Sequence, residues 1–307
     1  MKKSFKFIFT LTAVLCFVQF FAAAKGGSVD VWVSGEANGK EIVTGSGDQW
    51  IGFDSTVDAA DYKYFIVEAS SPDIKNLNLC MYIFSPEYEK DKRWTLGTLR
   101  VKGLTKKLTK YQCLVTGNES NPFVSNWVND KPQVSKVGDT KLEGCWVCVN
   151  DENWKEINGI KIYIKKITAT NTPLGKEYVV DLNANEKNFI GLQGQRWGNP
   201  DKNGIVPVRN YGCNFDILGM LAKAPAAGDV ICVKFKGVAS QDIKNIVMAV
   251  VDDSDGWVVL GEAFYDSASK DKKFSVEAYF VLTSTPKKLR FNIETYDAPK
   301  PALITLE

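Results

Sequence analysis

Apolar and polar residues alternate along most of this chain, and this alternation constrains the fold more than any other feature of the sequence. In the segment 159–167, Ile160, Ile162 and Ile164 lie on one side of an extended chain, and Lys161 and Tyr163 lie on the other. Successive side chains of a β-strand point to opposite faces, so a period of two predicts a half-buried strand. Similar segments occur at 62–69, 77–84, 230–235, 274–282 and 289–295.

The predicted strands are short, and residues that favour turns separate them. Gly, Asn, Asp and Pro recur between the apolar segments, whereas no segment has the apolar spacing of an amphipathic helix of three turns. Many short strands joined by turns are typical of sandwiches and barrels. We therefore predict an all-β protein made of two tandem antiparallel β-sandwiches of the jelly-roll type.

An internal repeat is the reason for predicting two sandwiches. The sequence SPDIKNL at 71–77 recurs as SQDIKNI at 240–246, and each copy precedes an apolar strand. A Trp-to-Leu-Gly element then follows, at 94–97 in the first copy and at 257–261 in the second. Landmarks that recur in the same order indicate duplication.

Two further landmarks extend the repeat toward the ends of each copy. Upstream, GKEIV at 39–43 echoes GKEYV at 175–179. Downstream, the strand at 160–167 corresponds to the last apolar segment, 302–306. The boundary between the copies then falls in a polar segment that contains a proline.

Residues 1–24 have the composition of a secretory signal peptide. Lys2, Lys3 and Lys6 precede an apolar run at 7–21, and three alanines at 22–24 form a small-residue cleavage site. The run is short for a bilayer span. We predict cleavage, export to the periplasm or the cell exterior, and no membrane span in the mature chain. The predicted organisation is a signal peptide at 1–24, a sandwich at 25–168, a linker at 169–174 and a second sandwich at 175–307.

The composition excludes several classes of chemistry. The chain has no histidine, which removes Ser-His-Asp and Cys-His catalysis and histidine metal ligands. The mature chain has a net charge of about −1, with lysines mixed among acidic residues, so no basic stripe for nucleic acid is present. We predict a protein that is not an enzyme, although glycoside hydrolysis by an Asp/Glu pair stays open as an alternative.

The mature chain keeps an even number of cysteines, which permits disulfides in an exported protein but does not require them. These residues are Cys80, Cys113, Cys145, Cys148, Cys213 and Cys232. Cys145 and Cys148 have C-x-x-C spacing, but they lie in a predicted strand and no second such pair exists for zinc. We predict no redox or metal function for this motif.

The two copies differ in their insertions, and insertions in a sandwich map to loops, where binding residues concentrate. The first copy carries an extra segment at about 117–143 that contains Trp127. The second carries one after Asn188. Its candidate ligand-binding residues, which are three amides, a guanidinium and an indole, are Gln193, Gln195, Arg196, Trp197 and Asn199.

Sugar recognition uses this mixture, because an aromatic face covers the C–H side of a sugar ring and planar polar groups bind its hydroxyls. The alternative for Trp197 and Trp127 is that each indole packs onto its sandwich as a plug. Trp94, Trp146 and Trp257 lie in strand-like runs, and we expect them in the core.

One turn has part of a calcium motif. Asn199, Asp201 and Asn203 place oxygen-bearing side chains at alternate positions before Gly204, as in the first half of an EF-hand loop. Asn210 stands where such a loop needs glutamate. These three residues are the candidate metal ligands for a structural calcium ion, and we predict no other cofactor.

The duplicated pattern, with a closing strand such as 160–167, resembles the galactose-binding-like jelly rolls that include many carbohydrate-binding modules. This resemblance spans nearly all of residues 28–307. It implies non-catalytic binding of a polysaccharide or other glycan.

The first copy alone is similar to the spirochaetal flagellar filament outer-layer proteins. The similar segments are LGTLRVKGL at 96–104 and LEG at 142–144, followed by the strand that contains Tyr163. The family has Trp after the glycine, where this chain has Leu104, and a Pro-Lys-Glu-like turn where this chain has Asn153, Trp154 and Lys155. This resemblance implies a periplasmic sheath component with envelope or filament proteins as partners.

Two hypotheses follow for the function. The first is a secreted or periplasmic carbohydrate-binding protein that uses the aromatic and amide side chains of its loops. The alternative is a structural component of an extracellular or periplasmic assembly, such as a flagellar filament sheath.

Overall fold

The computed structural model describes residues 27–73, 77–86, 95–115, 123–128, 131–136, 140–151, 155–184, 205–208, 213–295 and 302–307. For 102, 123–128, 131–136, 205–208 and 213–214 it describes the backbone alone. The predicted signal peptide lies outside the described residues. Within the described part, no helix is long and apolar enough to cross a membrane.

Apart from one short 3-10 helix at Ala59–Asp61, the described part of the first copy consists mainly of strands. They are β1 (Ser28–Val33), β2 (Lys40–Val43), β3 (Trp50–Gly52), β4 (Tyr64–Ser70), β5 (Asn78–Phe84), β6 (Gly97–Lys102), β7 (Thr109–Leu114), β8 (Phe123–Val128), β9 (Lys131–Lys136), β10 (Gly144–Asn150) and β11 (Lys161–Thr170). Sheet I has the order β1-β11-β4-β7, with β2 also paired to β11, and sheet II has the order β3-β10-β5-β6. The two sheets form the first sandwich, and β8 and β9 form a separate hairpin.

The second copy repeats this plan. Its strands are β12 (Glu177–Asp181), β13 (Ile205–Val208), β14 (Cys213–Asp216), β15 (Val230–Ala239), β16 (Ile243–Asp252), β17 (Val258–Ala268), β18 (Lys273–Val281), β19 (Arg290–Thr295) and β20 (Ala302–Leu306). Sheet III has the order β12-β15-β20-β13, with β18 also paired to β15, and sheet IV has the order β14-β19-β16-β17. The predicted all-β class with tandem sandwiches is confirmed, with one exception to antiparallel pairing, since β12 runs parallel to β15.

The sheet orders agree with most of the sequence repeat. The segments 71–77 and 240–246 lead into β5 and β16, which hold the same place in sheets II and IV. The closing strands β11 and β20 pair with β4 and β15, which are also equivalent.

One landmark of the repeat is wrong. Residues 39–43 contribute β2, which pairs with the closing strand β11. Residues 175–179 contribute β12, which pairs with β15 instead. These two strands therefore hold different places in their sandwiches, because five similar residues specify an extended chain without specifying its partner.

The period-two alternation has the predicted effect on burial. Ile162 and Ile164 of β11 are fully buried and share one core cluster with Met81 and Ile83 of sheet II. A second cluster fills the other sandwich and includes Phe280 of β18 and Phe291 of β19. Each sandwich therefore has its own hydrophobic core between its two sheets.

The two sandwiches also contact each other directly. Tyr64 and Leu114 from sheet I form a small buried cluster with Val230, Cys232 and Tyr279 from sheet III. The strand β11 continues through Thr170, two residues into the predicted linker, so the connection between β11 and β12 is short.

Polar contacts surround this cluster. The Gln112 side chain donates to the carbonyl of Gly228 at 3.1 Å and accepts from the backbone N–H of Leu174 at 2.6 Å. The Lys63 ammonium donates to the hydroxyl of Tyr279 at 2.9 Å and lies 4.3 Å from the centroid of its ring. Buried apolar side chains and side-chain hydrogen bonds thus hold the sandwiches in one relative orientation.

The insertion in the first copy forms part of this contact. The β8–β9 hairpin lies against β16 and β17 of the second sandwich. Residues 117–143 were predicted to be a loop, whereas 123–128 and 131–136 are paired strands.

Candidate binding site

The predicted ligand-binding loop of the second copy lies outside the described residues. It includes Gln193, Gln195, Arg196, Trp197 and Asn199. The candidate calcium ligands Asn199, Asp201 and Asn203 lie in the same undescribed segment. Both assignments stay predictions. Trp127 lies in β8, where its backbone pairs with Pro132 of β9, and its side chain is not described.

An aromatic row crosses the outward face of sheet II. Trp50 of β3 lies opposite Trp146 of β10, and Trp146 lies opposite Tyr82 of β5. The next position in the row is Thr98 of β6. Residues that are directly opposite on adjacent antiparallel strands have Cβ atoms about 4.5–5.5 Å apart, so the three aromatic residues span on the order of 10 Å.

The register places these side chains outside the sandwich. Their chain neighbours Ile51, Cys145, Val147, Met81 and Ile83 belong to the buried core of the first sandwich. Because side chains alternate along a strand, the residues between them point away from that core. Trp50 is 37% exposed, and Trp146 and Tyr82 are half-buried.

A glycine and a phenylalanine determine where the Trp50 indole lies. A Cβ atom on Gly144, one row away, would come within 2.5 Å of Cζ2 of Trp50, so the indole passes directly over this glycine. Its ring centroid is 5.7 Å from that of Phe84, which is also on this face. The hydrogen side chain of Gly144 thus leaves room for the indole to rest on the sheet.

The other side of the aromatic row is polar. The adjacent outward row contains Cys148, Cys80 and Arg100, one on each of β10, β5 and β6. Beyond it lies Asn150, whose amide donates to the hydroxyl of Tyr82 at 3.2 Å. Arg100 is partly exposed, and its guanidinium lies 3.8 Å from the carboxylate of Glu262 on β17.

The thiols of Cys80 and Cys148 differ in the direction of their pKa shifts. A hydrogen bond from the Cys148 thiol, together with the nearby Arg100 charge, lowers the pKa of Cys80 although burial opposes this shift. The same hydrogen bond, together with burial, raises the pKa of Cys148. Cys80 is therefore the member of the pair that carries negative charge more easily.

The two described tryptophans that were expected in the core lie elsewhere. Trp146 faces outward, and Trp257 is 52% exposed at the start of β17. Trp94 lies outside the described residues. The run 144–149 is apolar at nearly every position, so its pattern predicts a strand but does not indicate which face meets the core. The alternation of core residues around Trp50 and Trp146 becomes visible only once the register of sheet II is known.

The equivalent face of the second sandwich is different. The outward positions of β16 are Val247, Ala249 and Val251, and all three are buried. The neighbouring outward residue Asn292 is also buried, and its Oδ1 atom accepts no hydrogen bond from the described residues. The β8–β9 hairpin contacts this sheet at β16 and β17, so the first sandwich covers part of the face.

The outward face of sheet II has the chemistry of a binding surface at its exposed and half-buried positions. On this face Trp50 and Arg100 are exposed and Trp146 and Tyr82 are half-buried, whereas the Asn150 amide is buried. Among the described residues, no group of three or more Asp, Glu or Cys residues is arranged to hold a metal ion.

The comparisons with known proteins return low similarity. No family model matches the sequence, and no curated protein matches it. Among solved structures, the tandem CBM22-1–CBM22-2 domains of Xyn10C from Paenibacillus barcinonensis share 10% identity, cover 93% of this chain and 98% of that one, and give a TM-score of 0.25.

Two other solved structures are similarly distant. The Macrobrachium rosenbergii nodavirus shares 9% identity over 91% of this chain and 94% of that chain, with a TM-score of 0.18. PNGF-II shares 9% identity over 92% of this chain and 64% of that chain, with a TM-score of 0.20. At these TM-scores the likenesses carry no argument about function.

Proposed function

We propose that this protein is a secreted or periplasmic, non-catalytic carbohydrate-binding protein whose binding surface is the outward face of sheet II. The observation that carries the proposal is the row of Trp50, Trp146 and Tyr82. Aromatic faces stack on the apolar side of sugar rings, and a row of three offers adjacent positions along a glycan. The loop residues of the second copy, with Trp197 at their centre, are a separate proposed contact.

The polar groups beside the row fit the same ligand. The exposed Arg100 guanidinium presents paired donors, and the half-buried Tyr82 carries a hydroxyl that accepts from the buried Asn150 amide. Sugar hydroxyls donate and accept in pairs, so they match planar polar groups of this kind. Hydrolysis of a glycoside would instead need two carboxyl groups across the bond.

The test is a binding panel with matched tryptophan variants. Residues 25–307 are measured against soluble and insoluble polysaccharides by calorimetry and pull-down. Trp50→Ala and Trp146→Ala are expected to weaken binding to one glycan class by roughly 1–3 kcal/mol, which is about 5- to 150-fold in Kd. Trp257→Ala is the control, because that indole is exposed but lies on the other sandwich.

The same panel includes Trp197→Ala and Trp127→Ala. Loss of binding in Trp197→Ala with unchanged binding in both row variants would place the site in the loop and contradict the aromatic row. Absence of binding to every glycan would contradict the proposed function itself.

A structural role in an assembly is the second candidate function, and one observation favours it. Val258 and Val259 are the first residues of β17, an edge strand of sheet IV, and Trp257 directly precedes them. All three side chains are at least 40% exposed. An exposed apolar edge strand is a template for pairing with another chain.

The test of this second function is self-association. Sedimentation of the mature chain is expected to show oligomers that Val258→Lys abolishes and that Leu174→Lys, another exposed apolar position, leaves intact. A parent protein that stays monomeric at high concentration would exclude self-assembly through this strand.

A further inference from the structure

Two cysteines lie side by side on the outward face of sheet II. Cys80 of β5 and Cys148 of β10 are directly opposite in the antiparallel register. The Asn150 amide contacts both sulfur atoms, since its nitrogen lies 3.6 Å from Sγ of Cys80 and its oxygen lies 3.7 Å from Sγ of Cys148. The Cys148 thiol donates to this amide and the amide donates to Cys80, so one side chain holds the two free thiols close together.

We infer that Cys80 and Cys148 are a redox pair that closes to a disulfide across β5 and β10. Opposite residues of an antiparallel pair have Cα atoms about 4.5–5.5 Å apart. Disulfides join Cα atoms about 4.4–6.8 Å apart, so the bond needs no change of register. This inference concerns covalent chemistry beyond the proposed glycan binding and does not depend on it.

The electrostatics distinguish Cys80 from the other cysteines whose side chains the structure describes. Burial raises the pKa of Cys113 to about 12 and that of Cys232 to about 11, which makes both poor nucleophiles. Cys80 has the opposite shift, because the Cys148 thiol donates to it and Arg100 lies nearby. In the folded chain, Cys80 is therefore the described cysteine whose thiolate forms most easily.

The reaction balances with a small-molecule disulfide as the oxidant. The Cys80 thiolate attacks one sulfur of glutathione disulfide, forms a mixed disulfide and releases one glutathione thiolate. The Cys148 thiol loses its proton, attacks Sγ of Cys80 and displaces the second glutathione. Two protein thiols are oxidised, and one disulfide is reduced to two thiols.

Burial determines when the reaction takes place. Both side chains are at most 2% exposed in the folded chain. Exchange therefore precedes complete folding, and the predicted export brings the folding chain to a compartment where such oxidants are present. Once folded, the bond is shielded from reductants.

The experiment maps the thiols of the refolded protein. Residues 25–307 are reduced, unfolded, refolded in a glutathione redox buffer, alkylated and digested with trypsin without reduction. A covalent link is expected between peptide 76–90, which contains Cys80, and peptide 142–155, which contains Cys145 and Cys148. Fragment ions of the linked peptides assign the bond to Cys148.

Cysteine variants and the melting temperature complete the test of the disulfide. Cys148→Ser is expected to abolish the link, whereas Cys145→Ser and Cys113→Ser retain it. The oxidised parent is expected to melt on the order of 5–10 °C above the reduced parent. Free thiols at Cys80 and Cys148 in the refolded parent, or a bond between Cys113 and Cys145 instead, would overturn the inference, and this mapping needs no variant to fold.

Discussion

Gly144 determines where the Trp50 indole lies in the candidate site. It lies beneath the Trp50 indole, on the strand next to β3, and leaves the space that the ring occupies. The orientation of the most exposed aromatic residue of the row therefore depends on a residue with no side chain. Glycine in a strand interior often marks such a close approach.

Gly144→Ala is predicted to displace Trp50. The added methyl group would lie within 2.5 Å of Cζ2 of the indole and would also meet the carbonyl oxygen of Ile51. Overpacking of this kind costs about 1–3 kcal/mol, seen as a lower Tm and a red-shifted tryptophan emission. Gly219→Ala is the control, because nothing lies within 4 Å of its added Cβ atom. An unchanged Tm for Gly144→Ala would contradict the described packing.

Asp252 is predicted to make stability depend on acid pH. Burial acts to raise the pKa of this carboxylate, but the backbone N–H groups of Lys287, Ser254 and Lys288 donate to it and lower the pKa to about 2. A lowered folded-state pKa stabilises the fold above the unfolded value near 4, and this contribution disappears as the pH falls toward 2.

The variant Asp252→Asn tests this pH dependence. It should be less stable than the parent at neutral pH and should lose less stability between pH 4 and pH 2, as measured by urea denaturation. Asp48→Asn, which removes an exposed ion pair with Lys40, is the control and should follow the parent closely. If the free energy of unfolding of the parent and that of Asp252→Asn depended on pH in the same way, the hydrogen bonds to Asp252 would not favour its ionised form over its protonated form.

At the scale of elements, the strands are predictable and their partners are not. Alternation alone predicts β4, β5, β11, β15, β18 and β19, because each directs one face toward the core of its sandwich. Alternation does not predict that β2 and β12 pair with different partner strands, because this pairing depends on where the closing strand of each sandwich ends. The shorter β20 covers only part of β15, and β12 runs parallel to the part left uncovered.

The candidate site, too, could be predicted from the sequence only in part. Each of its tryptophans is visible in the sequence, but the row exists only through the register of three strands. Trp146 was expected in the core because apolar residues surround it on both sides. Loop position and amide content pointed instead to the segment around Trp197, which the described residues do not include.

The hairpin of β8 and β9 is predicted to shield the second sandwich. Replacement of 117–139 by a short Gly-Ser connection would uncover outward residues of sheet IV such as Val247 and Val251. Binding of an apolar dye and faster amide exchange in β16 are the expected results, while glycan binding on sheet II is retained. An unchanged dye signal would mean that other residues bury this face.

At the scale of the whole molecule, the contact between the sandwiches determines how they unfold. The Gln112 side chain is buried and bridges the Leu174 N–H and the Gly228 carbonyl. Because these bonds and the cluster around Tyr279 join both cores, the parent is predicted to unfold in one calorimetric transition.

Gln112→Ala tests the coupling between the sandwiches. It removes the side-chain partner of two part-buried backbone groups, at about 0.5–1.5 kcal/mol for each hydrogen bond, and is predicted to lower the Tm and to split the transition in two. Lys110→Ala, an exposed residue on the same strand and the same face, is the control. Two transitions already present in the parent would show that the sandwiches unfold independently.

The position of the aromatic row within the molecule has one more consequence. Trp50 stands on an open sheet edge, whereas at the β6 side Arg100 reaches Glu262 of the second sandwich. A ligand laid along the row would have solvent beyond one end and protein beyond the other. A surface that is open at only one end favours the terminus of a polymer over an internal segment. Under the proposed function, the binding affinity should therefore scale with the number of chain ends and not with polymer mass.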